Sequence, residues 1–71
     1  MEELNYKKVE SSNIDSIGYY DKNLYIRYKS GTEYRYYDVP EDVHSKLLES
    51  DSKGRFMNSV IKENYKYVKV K

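Results

Sequence analysis

Apolar residues at every second position between residues 24 and 36 constrain the fold more than any other feature of this sequence. The apolar residues of segment 24–28 have the period of a strand, and the tyrosines of segment 32–37 continue that period. The break between them, Lys-Ser-Gly at 29–31, ends in the residue best suited to a left-handed backbone. The two segments therefore predict an antiparallel hairpin.

The length of this break sets the register of the hairpin, because a shift of one residue would turn every buried side chain to the opposite face. A two-residue loop would place Ile26 opposite an arginine. A three-residue loop with Gly31 in the left-handed conformation instead pairs Ile26 with Tyr34. It also sets Arg27 against Glu33, an opposite-charge pair worth about 0.2 to 1 kcal/mol. We therefore predict the three-residue loop.

Two helices are predicted after the hairpin. Val39 and Pro40 end the sheet, because the residue before proline prefers extended geometry and proline suits the first turn of a helix. Apolar residues then recur at helical spacing as far as about Glu49, and again from Ser52 to about Asn64. Ser52 is the predicted cap of the second helix.

The remaining segments complete an α+β fold. Residues 17–20 predict a strand before the hairpin, and a capping box at 12–15 predicts a short turn ahead of that strand. Alternation in segment 65–71 predicts a short C-terminal strand. The expected fold is a three-stranded antiparallel meander followed by two helices packed on one face. Residues 1–8 are expected to form a flexible N-terminus, and residues 9–71 a single domain.

The composition excludes several classes of function. The chain has 71 residues, no cysteine and one histidine, so we expect neither a disulfide framework nor a metal site, and no cofactor. No nucleophile, base and orienting group are evident together, so we expect no catalytic residues and no enzyme. Apolar runs fall short of the roughly 20 residues that cross a bilayer, and the first residues do not form a signal peptide. We therefore expect a cytoplasmic protein without membrane contact.

The face of the hairpin opposite the predicted core carries aromatic and cationic side chains. The register places Tyr25, Arg27, Arg35 and Tyr37 there, with Tyr25 directly across from Arg35. Interleaved aromatic and arginine side chains suit base stacking and phosphate contact in single-stranded nucleic acid. Tyrosine and arginine are equally favoured at protein interfaces, so a protein partner or a second copy of the chain is the alternative.

A second candidate site lies at the start of the second predicted helix. Its residues are Lys53, Gly54 and Arg55 in the first turn, with Asn58 one turn later. Free backbone N–H groups at a helix start favour an anion, so this group is a predicted phosphate or carboxylate site. A purely structural interpretation also fits: Ser52 caps the helix, Gly54 allows close packing, and the two cations point to water.

Several short motifs in this order resemble the KTSC domain family, a domain also found at the C-terminus of some lysyl-tRNA synthetases. The resemblance runs from about Val9 to Tyr67. Its motifs are Ser-Ser-Asn-Ile at 11–14, Ile-Gly-Tyr at 17–19, Tyr-Arg-Tyr at 34–36, Val-Pro at 39–40 and Ser-Lys-Gly-Arg-Phe-Met-Asn at 52–58.

The family's association with a synthetase implies RNA as a partner, by analogy of context. Together with the residues above, this resemblance gives the leading hypothesis of a non-enzymatic RNA-binding module. The hypothesis assigns contacts to Arg27, Arg35, Lys53, Arg55 and Asn58. Self-association or protein binding through the tyrosine-rich face is the second hypothesis.

Overall fold

The predicted hairpin forms the middle of a five-stranded antiparallel sheet. The computed structural model of this 71-residue chain describes residues 6–70. The strands follow one another across the sheet in chain order: β1 (Tyr6–Lys8), β2 (Ile14–Tyr20), β3 (Asn23–Tyr28), β4 (Glu33–Tyr36) and β5 (Tyr67–Lys69). The predicted α+β class, the three-stranded meander β2–β4 and the short C-terminal strand are all present, and β1 is an addition.

The hairpin β3–β4 has the predicted register. Ile26 lies opposite Tyr34, and Arg27 lies opposite Glu33. Gly31 has a φ of 98°, and its N–H donates a hydrogen bond of 2.9 Å to the carbonyl of the last β3 residue. The left-handed glycine therefore closes a three-residue loop, which is the loop length that keeps the buried side chains of both strands on the same face.

Two helices follow the meander: α1 (Glu41–Glu49) and a second helix, α2, over residues 53–64. Within α2, Lys53–Phe56 and Lys62–Asn64 are α-helical, and the intervening Met57–Ile61 forms a wider π-helical turn. No helix among residues 6–70 is long and apolar enough to span a membrane.

Ser52 occupies the predicted N-cap position of α2, and its carbonyl accepts the Phe56 N–H at 3.0 Å, but the expected side-chain cap does not form. The Ser52 N–H instead donates to the Ser50 hydroxyl oxygen at 3.1 Å, which closes a tight turn between the two helices. The side chain of Ser50 therefore organises the connection between α1 and α2.

The core lies between the sheet and the two helices. Leu47 of α1 and Met57 and Ile61 of α2 are fully buried against the apolar face of the meander. The sheet and the connection after it supply the other buried side chains: Ile14, Ile17, Leu24, Ile26, Tyr36 and Val39. Eight aliphatic side chains and one tyrosine thus form the core, and other tyrosines pack at its margin.

The chain before the hairpin differs from its prediction. Segment 12–15 forms no helical turn, because Ile14 already belongs to β2 and a bulge separates it from Ser16. Ser11 takes the predicted capping role in another way: its hydroxyl accepts the N–H groups of Asn13 and Ile14 at 3.3 and 3.2 Å. A side-chain turn therefore leads directly into the strand.

The N-terminal segment also differs from the flexible terminus predicted for residues 1–8. Residues 1–5 lie outside the described part of the chain. Tyr6–Lys8 form β1, in which Tyr6 pairs with Gly18 and Lys8 pairs with Ser16. The sheet is consequently one strand wider than predicted.

The connection from the sheet to α1 is held at Val39, which is fully buried. Its N–H donates to the Lys22 carbonyl at 2.7 Å, and its carbonyl accepts the Tyr19 hydroxyl. Asp38 precedes it with a φ of 56°, a left-handed conformation that reverses the chain direction. The β2–β3 turn therefore fixes the point from which the helices begin.

Candidate functional site

The helices cover one face of the sheet, and the strand register decides which side chains lie on the other. Ile26 is fully buried under the helices, whereas its neighbours Tyr25 and Arg27 are partly exposed on the opposite side. The predicted alternation of β3 is therefore confirmed. We call this second surface the open face, and its aromatic and arginine side chains are Tyr6, Tyr25, Arg27, Arg35 and Tyr37.

Arg35 is the centre of the open face. Its guanidinium carbon lies 5.7 Å from the ring centroid of Tyr25 and 5.0 Å from that of Tyr37, which places it between two aromatic rings. Its Nε is buried and has no hydrogen-bond partner within residues 6–70. The aromatic rings stabilise the cation without neutralising it, so the Arg35 charge stays available to an anion.

A second cation–aromatic pair lies beside the first. The Arg27 guanidinium stacks 4.0 Å above the centroid of the Tyr6 ring, and Tyr6 meets Tyr25 edge-on at 6.4 Å. Arg27 also forms a 3.2 Å ion pair with Glu33, the single ion pair found within residues 6–70. Arg27 is therefore partly neutralised, whereas Arg35 has no carboxylate within that distance in the same part of the chain.

Tyr6 is a member of the open face that the sequence did not predict. Its strand partner is Gly18, which is buried and has no side chain of its own, and Tyr25 lies on the other side of Gly18. Two tyrosines thus flank the gap left by one glycine. A glycine inside a predicted strand was the available signal that large neighbours would lie over it. Burial raises the pKa of Tyr6, so its hydroxyl stays neutral at physiological pH.

The second predicted group lies elsewhere, in the helical layer. Lys53, Gly54, Arg55 and Asn58 line an open cleft of about 530 Å³ between the start of α2 and the loop at 10–13. A Cβ on Gly54 would lie 3.7 Å from the amide nitrogen of the Asn13 side chain, an ordinary van der Waals distance, so a small side chain would fit there as well. The residues predicted to hold an anion therefore lie together in one cleft.

The charges in this cleft do not favour an anion. Lys53 donates its ammonium group to the carbonyl of Ser50 at 3.0 Å, at the end of α1. Three carboxylates, those of Glu10, Asp51 and Glu63, also line the cleft, against two cations. The cleft and the open face lie on opposite sides of the sheet, so the structure separates the predicted nucleic-acid residues into two groups.

His44 of α1 is partly buried and lies at the margin of the core. Its ring stacks on Tyr19 with centroids 4.3 Å apart and planes 6° from parallel. Burial lowers the pKa of His44, and nearby Lys7 lowers it further. No group of three or more potential ligands within residues 6–70 could hold a metal ion.

Comparisons with known proteins agree with this fold. The KTSC domain matches residues 10–65 of this chain. A protein of Tsukamurella paurometabola is 40% identical over 62 residues, which is 84% of this chain and 92% of the relative. An uncharacterized protein of Stutzerimonas stutzeri is 40% identical over 65 residues, covering 87% and 92%.

A solved structure extends the agreement to three dimensions. The crystal structure of a KTSC domain protein from Yersinia pestis superposes with a TM-score of 0.89 at 37% sequence identity. The superposition covers 97% of this chain and all of that one. With the family match over most of its length and relatives of similar size, this chain belongs to the KTSC domain family.

Proposed function

We propose that this domain is a non-enzymatic binding module whose open face holds single-stranded RNA. The observation that carries the proposal is the stack of Tyr25, Arg35 and Tyr37 on the sheet face opposite the helices. Arg35 presents a planar cation between two rings, and this arrangement suits both an unpaired base and its phosphate.

The open face can supply the energy of such an interaction in two parts. Stacking of a base on an aromatic side chain is worth about 1 to 3 kcal/mol. Tyr37 is 36% exposed and is the most accessible ring of the stack. The Arg27 and Arg35 guanidinium groups would add phosphate contacts that weaken with salt. With a net charge of +1 on the chain, affinity would rest on this local surface rather than on the whole-molecule field.

The open face is a better candidate than the cleft at the start of α2. In the cleft, carboxylates outnumber cations, and Lys53 already donates to a backbone carbonyl. On the open face, Arg35 has two aromatic neighbours and no carboxylate within 4 Å among residues 6–70. The proposal therefore keeps Arg27 and Arg35 as RNA contacts and leaves out Lys53, Arg55 and Asn58.

Fluorescence anisotropy of a labelled oligouridine of about ten nucleotides would test the proposal, since comparable single-strand sites span about 4 to 16 nucleotides. Titrations at about 50 mM and about 200 mM KCl should differ by roughly tenfold in affinity, because two phosphate contacts release their counterions. Arg35→Ala should lower affinity by about tenfold, through loss of stacking and of one phosphate contact.

Arg55→Ala is the matched control, because it removes the same charge from the cleft side of the molecule. It should change affinity by less than about twofold, the screened effect of one distant charge. An equal loss of RNA affinity in the two variants, or an affinity that does not depend on salt, would contradict the assignment of the open face as an RNA site. The proposal also places the protein in the cytoplasm, where RNA is accessible to it.

Self-association through the same face is the second candidate. Val68, Val70 and Tyr37 are 43%, 55% and 36% exposed, and strand alternation places all three on the open face. Sedimentation velocity of the wild type and of the double variant Tyr25→Ala, Tyr37→Ala separates the two ideas. Only a self-associating face would show a mass that falls on truncation of these rings.

A further inference from the structure

The β5 edge, which we define as the outer side of residues 66–70, is the feature that carries a further inference. β5 pairs with β4 on one side only. The Val70 N–H donates to the Glu33 carbonyl at 2.8 Å, and the Tyr37 N–H donates to the Lys66 carbonyl at 2.9 Å. Backbone groups of an antiparallel strand alternate in direction. Those of Tyr67 and Lys69 consequently turn outward, where an added strand would find them.

The side chains of the β5 edge are also accessible. Tyr67, Val68 and Val70 are 47%, 43% and 55% exposed. Lys66, Val68 and Val70 lie on the open face, whereas Tyr67 and Lys69 lie on the helix side. Each side of the strand therefore combines apolar surface with one lysine, and both lysines are exposed.

The charge of the β5 edge restricts which strand can pair with it. Neither Lys66 nor Lys69 forms an ion pair within the described residues. Edge lysines discourage pairing with another strand of the same charge, including a second copy of this edge. A partner strand that brings carboxylates to both lysines removes that penalty. We propose that the β5 edge binds an extended acidic peptide of a protein partner as a sixth strand.

Antiparallel pairing defines the sequence of a suitable peptide. Valines belong opposite Val70 and Val68, and a tyrosine opposite Tyr67. Glutamates belong opposite Lys69 and Lys66. Read from its N-terminus, the peptide is Val-Glu-Val-Tyr-Glu, and blocked ends remove the terminal charges. The first glutamate of the peptide lies opposite Lys69, and its tyrosine lies opposite Tyr67. Because the backbone groups of Lys69 and Tyr67 point outward, these two peptide residues make the hydrogen bonds to the edge.

Backbone methylation of the peptide gives the most direct test. Heteronuclear NMR titration of the protein with Val-Glu-Val-Tyr-Glu should shift the amide signals of Tyr67 and Lys69. N-methylation of the peptide's tyrosine removes a ladder donor and should weaken binding by about tenfold or more. N-methylation of its central valine, whose N–H points away from the edge, is the matched control and should change affinity by less than about twofold.

Charge reversal on the protein tests the electrostatic half of the proposal. Lys69→Glu should abolish binding of the glutamate peptide and create binding of the version in which lysine replaces only the first glutamate, because the second glutamate still faces Lys66. Lys62→Glu makes the same change at an exposed position of α2 and should leave both affinities unchanged. The dispersion of the amide spectrum of each variant confirms that it is folded.

Three results would overturn the proposal. Equal binding of the two methylated peptides would mean that no ladder forms. Absence of binding at millimolar peptide would mean that the lysines only protect the edge. Concentration-dependent shifts of Tyr67 and Lys69 without peptide would assign the edge to a second copy of this chain.

Discussion

Tyr36 and Tyr37 are neighbours in the chain but lie on opposite faces of the sheet, and the two faces stabilise their tyrosines by different means. Tyr36 is 1% exposed under the helices, with Tyr34 and Tyr67 against its ring. Tyr37 is 36% exposed on the open face and contacts the Arg35 guanidinium. Burial raises the pKa of Tyr36, so its hydroxyl stays neutral.

The comparison shows how a chain with 10 tyrosines and one phenylalanine can build both a core and a surface. On the helix side the ring replaces an aliphatic side chain and gains from removal of apolar area from water. On the open face the ring gains chiefly from a cation above it. The first contribution depends on packing, and the second on a specific partner.

Truncating the two neighbouring tyrosines should separate the faces most strongly. Tyr36→Ala removes a fully buried ring and should lower the free energy of unfolding by about 3 to 5 kcal/mol. Tyr37→Ala should cost less than about 1 kcal/mol, since only a cation–aromatic contact and partial burial are lost. Urea denaturation of both variants measures the difference, and comparable losses would contradict the distinction between the faces.

Two neighbouring tyrosines of β2 allow the two faces to be compared by removal of a hydroxyl group alone. Tyr19→Phe removes the hydroxyl that donates to the Val39 carbonyl and should cost about 0.5 to 1.5 kcal/mol. Tyr20→Phe is the control, because Tyr20 is 47% exposed and its hydroxyl makes no hydrogen bond within residues 6–70. Chemical denaturation should show no loss for Tyr20→Phe beyond a few tenths of a kcal/mol.

A double-mutant cycle would measure the cation–aromatic contribution on the open face. Arg27→Met and Tyr6→Leu, singly and together, should give a coupling free energy of about 0.5 to 1 kcal/mol. The same cycle with Lys8→Met in place of Arg27→Met serves as a control and should give a coupling near zero. A coupling as large for Lys8 would show that Tyr6 responds to general charge rather than to the stacked guanidinium.

The smallest expected effect is a pH dependence that arises on the helix side. Burial lowers the pKa of His44 below its ordinary 6.5, so the unfolded chain binds a proton more readily than the folded one. Stability should therefore rise with pH between the lowered folded value and about 6.5, and His44 should cost stability as pH falls through that window. The difference in unfolding free energy between the wild type and His44→Gln should be constant above about pH 6.5 and should shift in favour of the variant as pH falls through the window. Parallel curves would contradict this origin.

The sequence predicted the hairpin down to its register because two independent constraints agree there. The parity of Ile26 and Tyr34 requires a three-residue loop, and Gly31 is placed to close one. The apolar stripe of α2 was predicted for a similar reason, since Met57 and Ile61 recur at helical spacing and both are buried. Periodicity thus identifies which side chains of an element face the core.

Other features depend on contacts that periodicity does not encode. β1 is a Tyr-Lys-Lys segment without alternation, and only its partner Gly18 gives Tyr6 a place on the sheet. The capping pattern at 12–15 was misleading, because Ser11 forms the turn and Asp15 lies in the bulged start of β2. The π-helical turn in α2 has no sequence signal that we can identify.

The sequence predicted the two groups of candidate residues, but it did not predict how the two groups lie relative to each other. Alternation placed Tyr25, Arg27 and Arg35 on one face, and the structure agrees. Whether Lys53 and Arg55 join them depends on which face the helices cover, and that is decided by packing across the sheet. The helices cover the opposite face, so one contiguous basic surface does not form.

The double attachment of Val39 has a consequence for motion in this domain. Both of its backbone polar groups are occupied, the N–H by Lys22 and the carbonyl by Tyr19, although Val39 belongs to neither a helix nor a strand. Its amide proton should exchange with solvent as slowly as those of the central strands. The first helix would then move with the sheet as one rigid unit, and any opening of the domain would begin instead at the serine-rich turn before the second helix.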